Sequence, residues 1–101
     1  MQNSVKIFNE KNKNKSMTVG ARLLDIQSEL GELAKEYLKS TDYDTKKFAL
    51  TNDFKMEFGD VIYSMLSLAN EVGLSSQECL DMVLEKYQSR IDKNNSFGSG
   101  R

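Results

Sequence analysis

The sequence has no histidine, no proline and no tryptophan, and it contains a single cysteine. Without histidine, the chain cannot form a Glu-x-x-His di-iron bundle, an imidazole-ligated zinc site or a Ser-His-Asp triad. Any acid–base or metal chemistry must therefore rest on carboxylates, lysines, tyrosines or the one thiol. That thiol, Cys79, cannot form an internal disulfide, and its position beside Leu80 predicts a small buried hydrophobe.

The absence of proline leaves helices uninterrupted, and the chain carries no long apolar run. No segment reaches membrane-spanning length, and the start of the chain lacks the apolar core of a signal peptide. The net charge of -1 argues against a nucleic-acid-binding protein, which would carry a basic excess. These features predict a cytoplasmic protein that binds neither nucleic acid nor membrane.

The length of 101 residues suits a single domain, and 39 % of the residues are hydrophobic. A chain this short buries a limited share of its surface, so we expect a homodimer or homotetramer. Apolar residues recur at helical spacing, and no strand-like alternation of useful length appears. The prediction is an all-α fold: an antiparallel helical bundle of about three to four helices per chain, completed by oligomerisation.

The sequence predicts one domain over 1–101 with its core at about 18–92, while 1–16 and 94–101 are peripheral or flexible. Within the first segment, Asn9 to Ser16 is predicted to be a loop or a frayed end. The three long helices are expected at about 18–39, 52–72 and 75–93. Their end signals are an N-cap at Ser16 or Thr18, a C′ glycine at Gly73, and a capping box formed by Ser75 with Glu78.

The first long helix carries an acidic face. Asp25, Glu29, Glu32 and Glu36 fall within an arc of roughly 60° when successive residues are placed about 100° apart. Like charges at these spacings are mildly destabilising, and the projection places no lysine on the arc at pairing distance. Such a face is costly unless a cation covers it.

A second acid pair, Glu57 and Asp60, lies beside the apolar stripe of the next long helix. A lone Glu-x-x-Glu pair is usually a solvated helix face. Two acid pairs on consecutive antiparallel helices, however, can bring four carboxylates to one point, which suits Mg²⁺ or Mn²⁺. We therefore expect a metal site formed by Glu29 and Glu32 with Glu57 and Asp60.

Each acid pair encloses a glycine at the same place, Gly31 in the first pair and Gly59 in the second. Glycine inside a helix costs about 1 kcal/mol relative to alanine, so the matched positions suggest a structural reason. The simplest reason is a close approach of the two helices beside the acids.

The segments Glu29-Leu-Gly-Glu-Leu-Ala34 and Glu57-Phe-Gly-Asp-Val61 closely resemble the motif of the MazG-like nucleotide pyrophosphohydrolases. In this chain 24 residues separate the two acid pairs, and the resemblance covers about 18–92. It implies Mg²⁺-dependent cleavage of a nucleoside triphosphate to its monophosphate and pyrophosphate, in nucleotide-pool cleaning, by a dimer or tetramer. It also implies that the four acids hold the metal, and Glu32 or Glu36 is our candidate to accept the proton of the attacking water.

The resemblance extends to a Lys-aromatic-x-x-Arg segment on the last helix, here Lys86 to Arg90. Lys86 and Arg90 could together bind a triphosphate, with Lys93 one turn further on and Asn94 as a sugar or base contact. The alternative is purely structural, because cations near a helix C-terminus complement its dipole.

Base recognition is less clear from the residues. Some members of the family bracket the base with tryptophans, which this chain lacks, so their specificity does not transfer. The aromatics available for stacking are Phe8, Tyr37, Phe54 and Tyr63, of which Tyr37 and Phe54 also fit core positions.

Two further functions remain open. One is a phosphoribosyl-ATP pyrophosphatase-like enzyme. The other is a non-catalytic helical oligomerisation or regulatory module whose acidic face binds metal.

Overall fold

The computed structural model describes residues 1–12 and 17–94, which form four helices and no strand. They are α1 (Gln2–Lys11), α2 (Val19–Ser40), α3 (Asn52–Val72) and α4 (Ser76–Asn94). The predicted all-α class is confirmed, with four helices in the described part of the chain. Ser16 and the tail after Asn94 lie outside the described residues, so the predictions made for them stay predictions.

Three helix boundaries follow the capping signals in the sequence. The Thr18 hydroxyl accepts a hydrogen bond from the Ala21 N–H at 3.1 Å and begins α2. The Ser75 hydroxyl accepts one from the Glu78 N–H at 3.1 Å and begins α4. Gly73 ends α3 with φ of 77°, in the left-handed region that glycine enters without steric cost.

The prediction of a loop from Asn9 onward is wrong, because α1 continues to Lys11. Polar bonds and one aromatic contact, between Phe8 and Tyr63, hold α1 against α3, and these contacts form no apolar stripe that hydrophobic periodicity could detect. The Gln2 side chain donates to the Asn70 Oδ1 and to the Leu74 carbonyl, and it accepts from the Ser76 N–H at 2.7 Å. Gln2 thus joins α1 to the connection between α3 and α4.

α2 and α3 form an antiparallel hairpin with a small and partly polar core. The only buried hydrophobic residues in the described part of the chain are Ile26, Leu66 and Ala69. The other buried side chains are polar: Arg22, Thr41, Ser64 and Ser67. Packing of α2 against α3 therefore depends on hydrogen bonds and an ion pair as well as on apolar contact.

The hairpin turns through a left-handed segment in which Asp42, Tyr43 and Asp44 have φ of 49°, 58° and 68°. Non-glycine residues rarely adopt these angles, so side-chain bonds must compensate. The buried Thr41 hydroxyl donates to the Tyr37 carbonyl at 2.8 Å and accepts from the Asp44 N–H at 2.9 Å. The Asp44 carboxylate in turn accepts a hydrogen bond from the Tyr37 hydroxyl.

α4 packs extensively against none of the other helices. Its apolar residues remain exposed: Leu80 by 51 %, Leu84 by 53 %, and Tyr87 and Ile91 by about a third each. Cys79 is also exposed, so the prediction that it is buried is wrong. Burial would require an element packed extensively against α4, and no helix in the described residues does so.

No helix within 1–12 and 17–94 combines the length and the apolar character needed to cross a membrane.

Candidate metal and nucleotide site

The relative position of α2 and α3 is defined by a side-chain bond near the middle of the hairpin. The Ser64 hydroxyl donates to the Asp25 Oδ2 at 3.1 Å. Because the helices are antiparallel, four residues further along α2 and four residues back along α3 bring Glu29 opposite Asp60. Three more residues in each direction bring Glu32 opposite Glu57.

The electrostatics of the acids agree with this pairing. The pKa of Glu29 is raised above its usual value, first by partial desolvation and then by the negative charges of Asp60, Asp25 and Glu32, in that order. Asp60, on the other helix, thus affects Glu29 more than its own helical neighbours do. This order of effects places the two acid pairs face to face.

Glu57 lies in the same field. Its pKa is also raised, first by partial desolvation, then by Asp60, and then by Glu29 and Glu32 across the hairpin. Raised carboxyl pKa values mean that the negative charge is held at a cost, which a bound cation would relieve. Glu29 and Glu57 are half-buried, whereas Glu32 and Asp60 are exposed.

The donor set suits Mg²⁺, because all four side chains offer hard carboxylate oxygens. Asp60 and Glu32 lie close enough to Glu29 and to Glu57 to raise the pKa of both. Within the described residues, however, no three Asp, Glu or Cys side chains converge tightly enough to form a ready-made metal cage. The residues fit the metal in two respects. Their oxygens are the ligands that Mg²⁺ prefers, and the acids of α2 face those of α3.

Two expectations about the surroundings of the acids are wrong. Lysines do reach the acidic face of α2: Lys35 lies 3.7 Å from the Glu32 carboxylate and Lys39 lies 3.4 Å from that of Glu36. A long lysine side chain reaches an acid three residues earlier even from outside the arc. These ion pairs are exposed at the lysine end, so they contribute little; the side chain of Glu32 remains 48 % exposed and that of Glu36 15 %.

The glycines do not mark a close approach of the helices. A methyl group added at Gly31 or at Gly59 would meet no other atom within 4 Å. Both residues lie exposed on their helices. Nothing within the described chain therefore requires glycine at either position.

The predicted substrate residues lie on α4, away from the hairpin core. Lys86 lies 5.4 Å from the centroid of the neighbouring Tyr87 ring, Arg90 is half-buried, and Lys93 and Asn94 are exposed. No ion pair within the described residues links Lys86, Arg90 or Lys93 to the four acids. The single chain therefore does not bring these cations onto the carboxylates.

The predicted aromatic residues fall into two groups. At the turn end of the hairpin, Tyr37 stacks on Phe48, and Phe48 meets Phe54 edge to face with centroids 5.2 Å apart. On the other side of α3, Tyr63 packs edge to face against Phe8 and donates its hydroxyl to the Asn9 side chain. Tyr63 therefore faces α1.

Sequence reasoning missed the ion pair that joins the open ends of the hairpin. The Arg22 guanidinium donates to both Glu71 oxygens, at 3.2 and 2.8 Å, and lies 3.5 Å from the Asp25 carboxylate. The Glu71 bond raises the pKa of Arg22. The available signal was the position of Arg22 on the edge of the acidic arc, but nothing in the sequence identified Glu71 as its partner.

Comparison with known proteins finds a relative of uncharacterized function. The chain is 36 % identical over 73 residues to the uncharacterized protein YpjD of Bacillus subtilis (strain 168). The match covers 69 % of this chain and 64 % of that protein, so the chain spans less than two thirds of its relative's length. No family model matches the chain. No solved structure matches it either.

Proposed function

We propose that the chain is a MazG-like, Mg²⁺-dependent nucleoside triphosphate pyrophosphohydrolase that acts in the cytoplasm in nucleotide-pool cleaning. The observation that carries the proposal is the register of the hairpin, which sets Glu29 opposite Asp60 and Glu32 opposite Glu57. The raised pKa values of Glu29 and Glu57 support it, because each acid is affected by the acids of the other helix.

Under this proposal the two acid pairs hold Mg²⁺, and Mn²⁺ substitutes for it. Bound metal would neutralise charge on the phosphate oxygens and help to activate water. The protein's own part is to orient the triphosphate and to accept a proton from the attacking water. Glu32 and Glu36 are the candidate bases, since both lie on the same face of α2 as Glu29.

The proposal includes a homodimer or homotetramer. The described residues bury only three hydrophobic side chains, and none of their helices packs extensively against α4, so a second copy would supply a surface for its exposed apolar residues. In such an assembly Lys86, Arg90, Lys93 and Asn94 would bind the triphosphate. These residues lie on a helix that packs little against the hairpin. Their position therefore favours ligand binding in an assembly over a role within the single chain.

The test is a panel of NTPs, dNTPs and phosphoribosyl-ATP with Mg²⁺, with nucleotide products and pyrophosphate separated by ion exchange. Glu32→Gln and Asp60→Asn should each lower kcat/KM by at least about 100-fold, since even partners of metal ligands typically contribute 10- to 100-fold. Asp81→Asn, at an exposed carboxylate on α4, is the matched control and should keep the wild-type rate.

Absence of turnover on the whole panel by a folded sample would reject the enzyme. Cleavage of phosphoribosyl-ATP alone would instead identify the phosphoribosyl-ATP pyrophosphatase-like activity. A large rise in Tm on adding Mg²⁺ without turnover would indicate the non-catalytic metal-binding module.

A further inference from the structure

We propose that Arg22 is a positioning residue for the carboxylate site. Its two hydrogen bonds to Glu71, together with the Asp25–Ser64 bond, set the register in which the acids of α2 face those of α3. We call these four side chains the Arg22 network. The inference rests on the proposed function only in taking the two acid pairs as the metal site.

The hairpin interface needs these polar bonds because its few buried apolar side chains do little to fix the position of α2 along α3. Only Ile26, Leu66 and Ala69 are buried hydrophobic residues there, and the adjoining buried side chains on α3 are the small Ser64 and Ser67. Helices with few large interlocking side chains can slide by a turn, about 5.4 Å, at little cost in packing. A slip of that size would separate Glu29 from Asp60.

The Arg22 network supplies the missing specificity. A guanidinium that donates to both oxygens of one carboxylate has a fixed fork geometry, which a shift of one turn would break. Arg22 is only 7 % exposed, so a slipped register would leave its buried guanidinium with only the longer 3.5 Å contact to Asp25 on its own helix, at a high cost. Buried polar groups are known to fix the register of packed helices in this way.

Arg22 acts at a distance rather than by contact. It lies two turns of α2 before Glu29, or about 10 Å along the helix. Its own hydrogen bonds go to Glu71 and Asp25, not to the four acids. Its effect on the site must therefore pass through the relative position of the two helices.

Affinity for Mn²⁺, measured by EPR of the free ion, separates this role from simple electrostatics. In Arg22→Met, loss of a nearby positive charge would by itself strengthen cation binding, whereas loss of register weakens it. We expect the affinity to fall by about 10- to 100-fold, the range typical of residues that orient metal ligands.

A second variant tests the role of register without a change in net charge. Arg22→Met with Glu71→Leu leaves the net charge unchanged and replaces a buried ion pair with apolar side chains, an exchange that folded proteins commonly tolerate. It should keep its helicity and still bind Mn²⁺ at least tenfold more weakly. The matched control, Lys6→Met with Glu10→Leu, removes one charge of each sign from exposed positions on α1 and should bind Mn²⁺ like the wild type.

Register itself can be measured without metal or substrate. Spin labels at Ser28→Cys and Lys55→Cys, in a Cys79→Ser background diluted with unlabelled protein, report the α2–α3 distance by pulsed EPR. Both positions are exposed on the hairpin. The wild type should give one narrow distance, and the Arg22→Met/Glu71→Leu variant a broadened or shifted one.

An unchanged distance, or an unchanged Mn²⁺ affinity in the folded double variant, would overturn the positioning role. Failure of the nucleotide assay alone would reject the proposed hydrolase but leave the distance and Mn²⁺ results as the decision on Arg22. The two proposals can therefore fail separately.

Discussion

The α2–α3 hairpin and α4 satisfy their side chains in opposite ways. In the hairpin, polar groups are buried and each finds a partner: Arg22 bonds to Glu71, and Ser64 to Asp25. No buried side-chain nitrogen or oxygen in the described residues lacks a hydrogen bond. On α4 most polar groups are exposed, and so are Leu80, Leu84 and Ile91 of its apolar face, because no helix in the described residues packs extensively against it.

This difference separates specificity from stability. The hairpin interface contains too few apolar side chains to contribute much hydrophobic free energy, yet its polar bonds define how the two acidic faces meet. The apolar face of α4 offers that free energy, but only when something covers it. We expect the geometry of the site to depend on the hairpin. We expect the stability of the fold to depend on burial of the apolar face of α4.

The largest effect that tests this comparison should come from Leu84→Glu. Burying a leucine contributes about 1.5–3 kcal/mol, and burying an unpaired carboxylate costs more, so assembly should weaken by at least about 2 kcal/mol per chain. Light scattering should show a shift to monomer, and Tm should fall and lose its dependence on protein concentration.

Ser89→Glu is the control for Leu84→Glu, because it adds the same charge on the opposite side of α4. It should leave the assembly intact. A wild type that is already monomeric at micromolar concentration would contradict both the assembly and the role given to α4.

A smaller effect is expected in the hairpin from Phe48→Ala. Phe48 joins Tyr37 to Phe54 but is 43 % exposed, so its removal should lower the free energy of unfolding by about 1–2 kcal/mol. Urea unfolding at a fixed protein concentration measures the change. Tyr43→Ala, at a 75 % exposed aromatic with no ring partner, should change it much less, and equal losses would contradict the aromatic cluster.

The smallest effect concerns pH and the cost of the acids. Because the pKa of Glu57 is raised in the folded chain, folding favours its protonated form. Without metal, this group makes the fold more stable as pH falls through the raised pKa toward the ordinary value of 4.5, and less stable above it. Glu57→Gln in EDTA should therefore raise Tm slightly at pH 7, as measured by circular dichroism.

Glu85→Gln, which removes an exposed acid from α4, is the control for the loss of one charge. The gain in Glu57→Gln should disappear at low pH, where the wild-type carboxyl is itself protonated. A lower Tm for Glu57→Gln at pH 7 without metal would show that the Glu57 carboxylate stabilises the folded chain rather than destabilising it.

Much of the fold was readable from the sequence because local rules decided it. The bounds of α3 were predicted correctly from its apolar stripe, and Thr18, Gly73 and Ser75 act at helix ends as predicted. α1 was missed because side-chain bonds such as that from Asn9 to Ser67 hold it, and they leave no periodic pattern. Cys79 was misplaced because burial on α4 depends on a surface that the sequence of one chain does not describe.

The candidate site was predictable in its residues but not in its geometry. Spacing alone identified Glu29 and Asp60 as members of facing pairs. The pairing across the hairpin depends on Arg22 and Glu71, which are 49 residues apart, and no local pattern links them. The cations of α4 show the opposite case: the pattern identified them, but no ion pair within the described residues brings Lys86, Arg90 or Lys93 to the four acids.

The left-handed turn after α2 is a place where the chain should accept a D-amino acid. Asp42, Tyr43 and Asp44 have positive φ angles close to that of the left-handed helical region, the sign of φ that D-amino acids prefer. The bonds that stabilise the turn come from the side chains of Tyr37, Thr41 and Asp44, so the side chain of Tyr43 is dispensable there. A D-residue at position 43 would remove steric cost and leave those bonds in place, making this turn the natural point to join two synthetic halves of the protein.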